Sequence, residues 1–206
     1  KYKANVDIGV VSNVVKQELI KNAIFAILVS LVGIIIYISI RFHISFGICS
    51  VLCLLHDVLL MTSFMAISRV EVDSMFIAAV LAIIGYSINN TIVVFDRIRE
   101  NLNGKNISKL TDKEITDVAN ISMKQTALRS IYTSLTTIIP VIALIILGSR
   151  EVLSFNLAMT VGLIAGTYSS LFIAPLLWTK FAKLGYNKKQ KIYSEKTEKT
   201  ITGIND

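Results

Sequence analysis

The sequence predicts an all-α membrane protein, a bundle of five transmembrane helices. Three observations predict it. Of 206 residues, 53% are hydrophobic, which leaves little polar surface for a soluble domain of this size. The apolar residues fall in long blocks. Ala23–Ile40, Ser74–Phe95, Ser130–Ser149 and Val152–Thr179 carry no charge, and Ile44–Ile67 carries only Asp57, beside His56. Each block is about 18 residues or longer, the length that crosses roughly 30 Å of hydrocarbon as a helix. Finally, no block alternates with period two, so transmembrane strands are excluded.

The elements follow in order. The chain begins at Lys1, without Met, on a polar segment over residues 1–21 with no signal-peptide pattern. A start on the outer side without an export signal leads us to expect a longer parent protein. Helices are expected at about 22–41, 44–67, 73–96, 127–148 and 152–183, which makes 22–184 one membrane domain. The connections Arg41–His43, Ser68–Asp73 and Gly148–Glu151 are short, so neighbouring helices run antiparallel. The one long connection joins the third and fourth spans. Within it, Leu110, Thr111, Glu114 and Ile115 fit a hydrophobic staple around a capping box. Ile115, Val118 and Ile121 then recur every three residues. They predict a short amphipathic helix over about 112–125, lying on the inner membrane face. The Lys/Glu/Thr-rich tail, 185–206, has little to bury and is expected to be disordered.

Net charge is +7. With the N-terminus outside, the outer side holds Lys1, Lys3, Lys16, Lys21, Arg69 and Arg150. The inner side holds Arg41, the basic residues from Arg97 to Lys124, and those from Lys180 onward: 14 against six. The positive-inside rule therefore places the N-terminus outside and the C-terminus in the cytoplasm. The same basic residues flank membrane helices. That placement suits contact with anionic lipids and argues against nucleic-acid binding.

Polar residues inside the spans are the candidate site. Asp57 sits midway along its helix, where an ionised carboxylate costs roughly 2.5–3.5 kcal/mol on insertion scales. It is either a proton-accepting or gating carboxylate or a structural hydrogen-bond acceptor. His56 points about 100° away and need not touch it. Ser87, Asn90 and Thr91 share a helix face at i, i+3 and i+4, which should turn toward the bundle or a wet cleft. Asn89 points elsewhere, toward the face of Asp96. Arg129 opens the fourth span and Thr133, Thr136 and Thr137 extend its polar stripe. Arg129 either snorkels to the interface or meets Asn90. Ala158, Gly162, Gly166, Ser170 and Ala174 recur every four residues, a small-residue ridge for close helix packing. Pro140 and Pro175 are expected to kink their helices. Cys49 and Cys53 read as small apolar packing residues. No catalytic set, metal-ligand spacing or phosphate loop occurs, so no enzyme and no cofactor is expected.

Four stretches carry a resemblance. "IGYSINNTIVVFDRIRENL" (84–102), "LLHDV" (54–58), "SMKQTALRSIYTSLTT" (122–137) and "GTYSSLFIAPLL" (166–177) resemble the SecF family of bacterial protein-export membrane proteins. The likeness runs from about Gly9 to the end of the last span. It implies the fold of the resistance-nodulation-division superfamily, with six membrane helices and an extracytoplasmic domain after the first. This chain would then lack that first helix and most of the domain, residues 1–21 being the domain's end. The resemblance further implies a partner, SecD, related by a pseudo-twofold axis, and assistance to the SecYEG channel in the bacterial cytoplasmic membrane. Proton or sodium flow would drive outer domains that pull the exported preprotein. The family's ion-coupling residues correspond to an acid at position 90 and to Arg129. Here position 90 is Asn90, which takes up no proton at neutral pH. An engineered neutral variant, a natural variant relying on a SecD carboxylate or on Asp57, and an uncoupled paralogue all remain open. The alternative functions are a fragment of a small-molecule exporter of the same superfamily and an uncoupled scaffold subunit.

Overall fold

The computed structural model describes residues 13–42, 44–70, 72–103, 105 and 107–183. They form α1 (Asn13–Arg41), α2 (Ile44–Ile67), α3 (Ser74–Asn101), α4 (Asp112–Leu147), α5 (Leu153–Tyr168) and α6 (Ala174–Phe181). A π-helical turn, Ser169–Ile173, joins α5 and α6 without a break, so the two make a single span from Arg150 to Phe181. Five helical stretches among the described residues are long and apolar enough to cross a membrane. Helices are the natural outcome, because a chain in hydrocarbon must satisfy every backbone N–H and C=O internally.

Two expected boundaries differ in the structure. The first helix starts at Asn13, so it includes residues assigned to the entry segment. Residues 1–12 and the tail from 184 lie outside the described residues. The expected amphipathic helix and the fourth span are one helix of 36 residues, about 54 Å long. Lys124, Gln125, Thr126 and Ala127 supply no Gly or Pro to break it there, so propensity carries the helix through. Its capping box is present, with Thr111 N–H donating to Glu114 Oε2 at 2.7 Å and Glu114 N–H donating to Thr111 Oγ1 at 3.3 Å. The face buried near this start is Ile115, Val118, Ala119 and Ser122, while Ile121 is exposed.

The central helix is α5, which packs against α2, α3 and α4. A Cβ on Gly162 would lie 2.5 Å from Ile83 Cγ1, so the missing side chain is what admits α3. Where α2 turns into α3, Asp73 caps α3 by accepting from Phe76 N–H, and Ser154 donates to the same carboxylate oxygen at 3.0 Å. At the opposite end, Phe46 stacks on Trp178 with ring centroids 5.5 Å apart and meets Phe95 edge-on at 4.9 Å. Asp96 there pairs with Arg41 and Arg99, and both guanidinium groups sit over the Phe42 ring. α1 and α4 are peripheral and present rows of exposed apolar side chains such as Phe25, Leu28, Val32, Leu128, Leu135 and Ile142.

Candidate functional site

Asp57 lies at the meeting of α2, α3 and the π turn and is 0% exposed. Ser87 Oγ of α3 donates to Asp57 Oδ2 at 2.5 Å, and Ser169 Oγ of the π turn donates to the same oxygen at 2.8 Å. His56 Nδ1 lies 3.0 Å from Asp57 Oδ1. Helical spacing does not require this contact, and the structure makes it. Their Cβ atoms do diverge around the helix, but the imidazole swings back along the surface of α2 to reach the short carboxylate. The His56 side chain is 34% exposed, whereas that of Asp57 is 1% exposed. A Cβ on Gly166 would lie 3.2 Å from Ser87 Oγ and 3.5 Å from Asp57 Oδ2. Glycine there is what lets α5 and α3 close over the carboxylate.

Pro175 accounts for the π turn. It has no N–H to donate to the preceding turn, and its ring crowds the carbonyl of residue i−4. The helix widens just upstream, with Ala174 N–H donating to Ser169 O. The extra residue turns both Ser169 and Ser170 into the bundle. Sequence reasoning extended the four-residue ridge from Gly166 to Ser170 and missed Ser169. Ser170 is indeed buried, yet its hydroxyl donates locally to Thr167 O at 3.2 Å. The signal that finds Ser169 is the proline six residues later.

Asn90 and Arg129 are not brought together. Asn90 is 3% exposed and its Nδ2 has no hydrogen-bond partner among the described residues. Arg129 is exposed and lines a cleft of about 360 Å³ with Ile92, Asp96, Arg97, Glu100 and Gln125. The inward stripe of α4 is Ser122, Thr126, Ser130 and Ser134, all buried. Arg129 and Thr133 are each one position before a member of that stripe, about 100° around the helix, and so look outward. Thr133 donates to the Arg129 carbonyl at 2.8 Å, which satisfies its hydroxyl within α4. Asn89 is exposed on α3, while Ser87 and Thr91 are buried.

A second polar link was also missed. Tyr86 Oη donates to Ser134 Oγ at 3.1 Å, and Ser134 Oγ lies 2.5 Å from Thr167 Oγ1, joining α3, α4 and α5. The four-residue spacing of Ser122, Thr126, Ser130 and Ser134 was the available signal. Among the described residues, no group of three His, Cys, Asp or Glu is placed to hold a metal ion.

Residues 1–184 match the family described as protein export membrane protein SecD/SecF, C-terminal. The chain is 44% identical to the protein translocase subunit SecDF of Bacillus subtilis over 178 residues, 86% of this chain and 24% of the relative. It is 43% identical to the SecF subunit of Sebaldella termitidis over 93% of this chain and 62% of the relative. The SecF subunit of Rickettsia prowazekii is 42% identical over 85% of this chain and 55% of its own length. The chain thus spans less than two thirds of the length of each of these relatives. A crystal structure of SecDF from Thermus thermophilus, described as a translocon-associated membrane protein, superposes with a TM-score of 0.74 at 39% identity. That match covers 83% of this chain and 23% of the solved one. The helical bundle, the membrane-spanning lengths and the match across residues 1–184 together make this chain a member of the SecD/SecF protein-export membrane protein family, corresponding to its C-terminal part.

Proposed function

We propose that this chain is the membrane bundle of a SecF-type subunit. The subunit works with SecD beside the SecYEG channel and uses a proton or sodium gradient to assist export of preproteins. It sits in the bacterial cytoplasmic membrane with the N-terminus of this chain outside and its C-terminus in the cytoplasm, where the basic residues meet anionic lipid headgroups. The observation that carries this reading is the 43% identity to a SecF subunit over 93% of the chain. The ion-coupling candidates are Asn90, Arg129 and Asp57. Arg129 remains charged whatever its surroundings, so it can steady a carboxylate but cannot carry a proton. Its side opens into a cleft at the bundle surface, where a carboxylate from SecD has room to reach it.

The test is export in cells depleted of their own SecF and supplied with the full-length protein that contains this chain. Precursor accumulation should fall when it is expressed with its SecD. Failure to relieve accumulation, with both proteins present in the membrane, would count against the proposal. A second reading, an uncoupled scaffold subunit, is favoured by the neutral amide at position 90. The two separate on Asn90→Asp. We expect this variant to raise gradient-dependent preprotein movement into vesicles after ATP is removed. No gain would move the coupling away from position 90.

A further inference from the structure

We infer that Asp57 is a reversible proton-binding site of the bundle, loaded and unloaded through His56, and that Ser169 on the π turn passes its charge state to the last helix. The inference rests on the ion-driven reading above.

The geometry offers hydrogen-bond partners to both protonation states. When Asp57 is ionised, Oδ2 accepts from Ser87 and Ser169, and Oδ1 accepts from a protonated His56 Nδ1. When Asp57 is neutral, its proton rides on Oδ1 and donates to His56 Nδ1, the ring keeping its hydrogen on Nε2, while Oδ2 still accepts from both hydroxyls. The step balances. A proton arriving at Nε2 makes an imidazolium, and its Nδ1 proton moves to Oδ1, leaving a neutral ring and a neutral acid. Release reverses the order. A purely structural acceptor would not need a partner that exchanges donor and acceptor roles.

Among Asp57, its described hydrogen-bond partners and Cys53, Ser87, Ser169, Cys53 and Asp57 itself are buried, and His56 alone reaches the bundle surface. Among the described residues, no Lys or Arg pairs with Asp57. The titratable side chains near it are His56 and, one turn earlier on α2, Cys53, whose Sγ lies 4.0 Å from Ser169 O. α3 presents Ser87, and the last span presents Gly166 and Ser169.

Ser169 is the coupling element. Hydroxyl donation to an ionised oxygen is about twice as strong as donation to a neutral one. Ser169 Oγ also has a second acceptor, Gly166 O, at 3.3 Å. Neutralising Asp57 weakens the first bond and favours the second, which loosens the tie between α2 and the π turn. The slack falls on a π turn, an irregularity that recurs at functional sites in helices.

The experiment is infrared difference spectroscopy on the full-length protein with its SecD in lipid nanodiscs, stepped between about pH 5 and 8. We expect a protonated-carboxyl band that grows as pH falls and is lost in Asp57→Asn. His56→Gln, which cannot relay a proton, should slow the response to a pH jump by about 100-fold. Ser169→Ala removes one of the two hydroxyl donors to Oδ2 and should move the protonated-carboxyl band to higher frequency. A band that is constant or absent across the range overturns the site, as does a wild-type response rate in His56→Gln. Export measured on the same samples decides the underlying reading separately. A titrating Asp57 without gradient-dependent export would sink the SecF-type function and leave the proton site standing.

Discussion

Gly162 and Gly166 occupy the same small-residue ridge, yet they do different things. At Gly162 an added methyl group would collide with Ile83, a fully buried side chain. Gly162→Ala should therefore destabilise the bundle by about 1–3 kcal/mol, read from unfolding midpoints in detergent. Gly33→Ala on α1 is the control, because a Cβ there meets nothing within 4 Å. Equal losses from the two would show that the ridge is not a packing seam. The ridge was legible in the sequence because small residues at every fourth position leave one mark only. The inward turn of Ser87, Asn90 and Thr91 was legible for the same reason, a shared face. The contact of His56 with Asp57 was not, since helical spacing gives the direction of a Cβ and says nothing of where a swinging ring ends. Nor was the separation of Asn90 from Arg129. Equal depth in two helices does not fix their rotation about their own axes, and one position along α4 decides whether a side chain faces α3 or looks away.

At the scale of elements, the turn from α2 to α3 shows how the chain handles a tight connection. Val70 N–H donates to Met65 O and Arg69 N–H donates to Ala66 O, the paired bonds of a Schellman motif. Arg69 holds the left-handed position at φ 54°, which glycine fills at no steric cost. The left-handed conformation costs an L-residue roughly 1–2 kcal/mol. Arg69→Gly should recover about 1 kcal/mol, seen as a higher unfolding midpoint, and a fall would mean that the Arg69 side chain holds something the backbone does not reveal. Of the elements, the spans and the capping box at Thr111 were readable from composition and local motif. The union of the amphipathic segment with the fourth span was not, because a change of surroundings from interface to bilayer leaves no breaker in the sequence. The π turn was hidden behind Pro175, which announced an irregularity without giving its form.

Across the whole molecule, α1 and α4 turn rows of Ile, Leu, Val and Phe outward, and a bundle so coated needs lipid or other helices around it. Its orientation rests on the distribution of basic residues. Single cysteines placed at Ser68 and Gly148 should react with an impermeant reagent from outside the cell, and one at Lys109 only after the membrane is opened. The native Cys49 and Cys53 are both fully buried and should contribute little background. Reaction of the Lys109 site in intact cells would reverse the orientation.

Trp178 is the one tryptophan in this chain; it is fully buried and stacked on Phe46, with its Nε1 lacking a partner among the described residues. It sits on α6, just beyond the π turn. Within this chain, indole fluorescence therefore has a single origin, at the end of the helix whose tie to Asp57 is in question. Separation of that helix from α2 would unstack the indole and open it to water, shifting its emission to longer wavelength. The fold carries its own optical gauge of the motion, with no dye attached and no residue replaced.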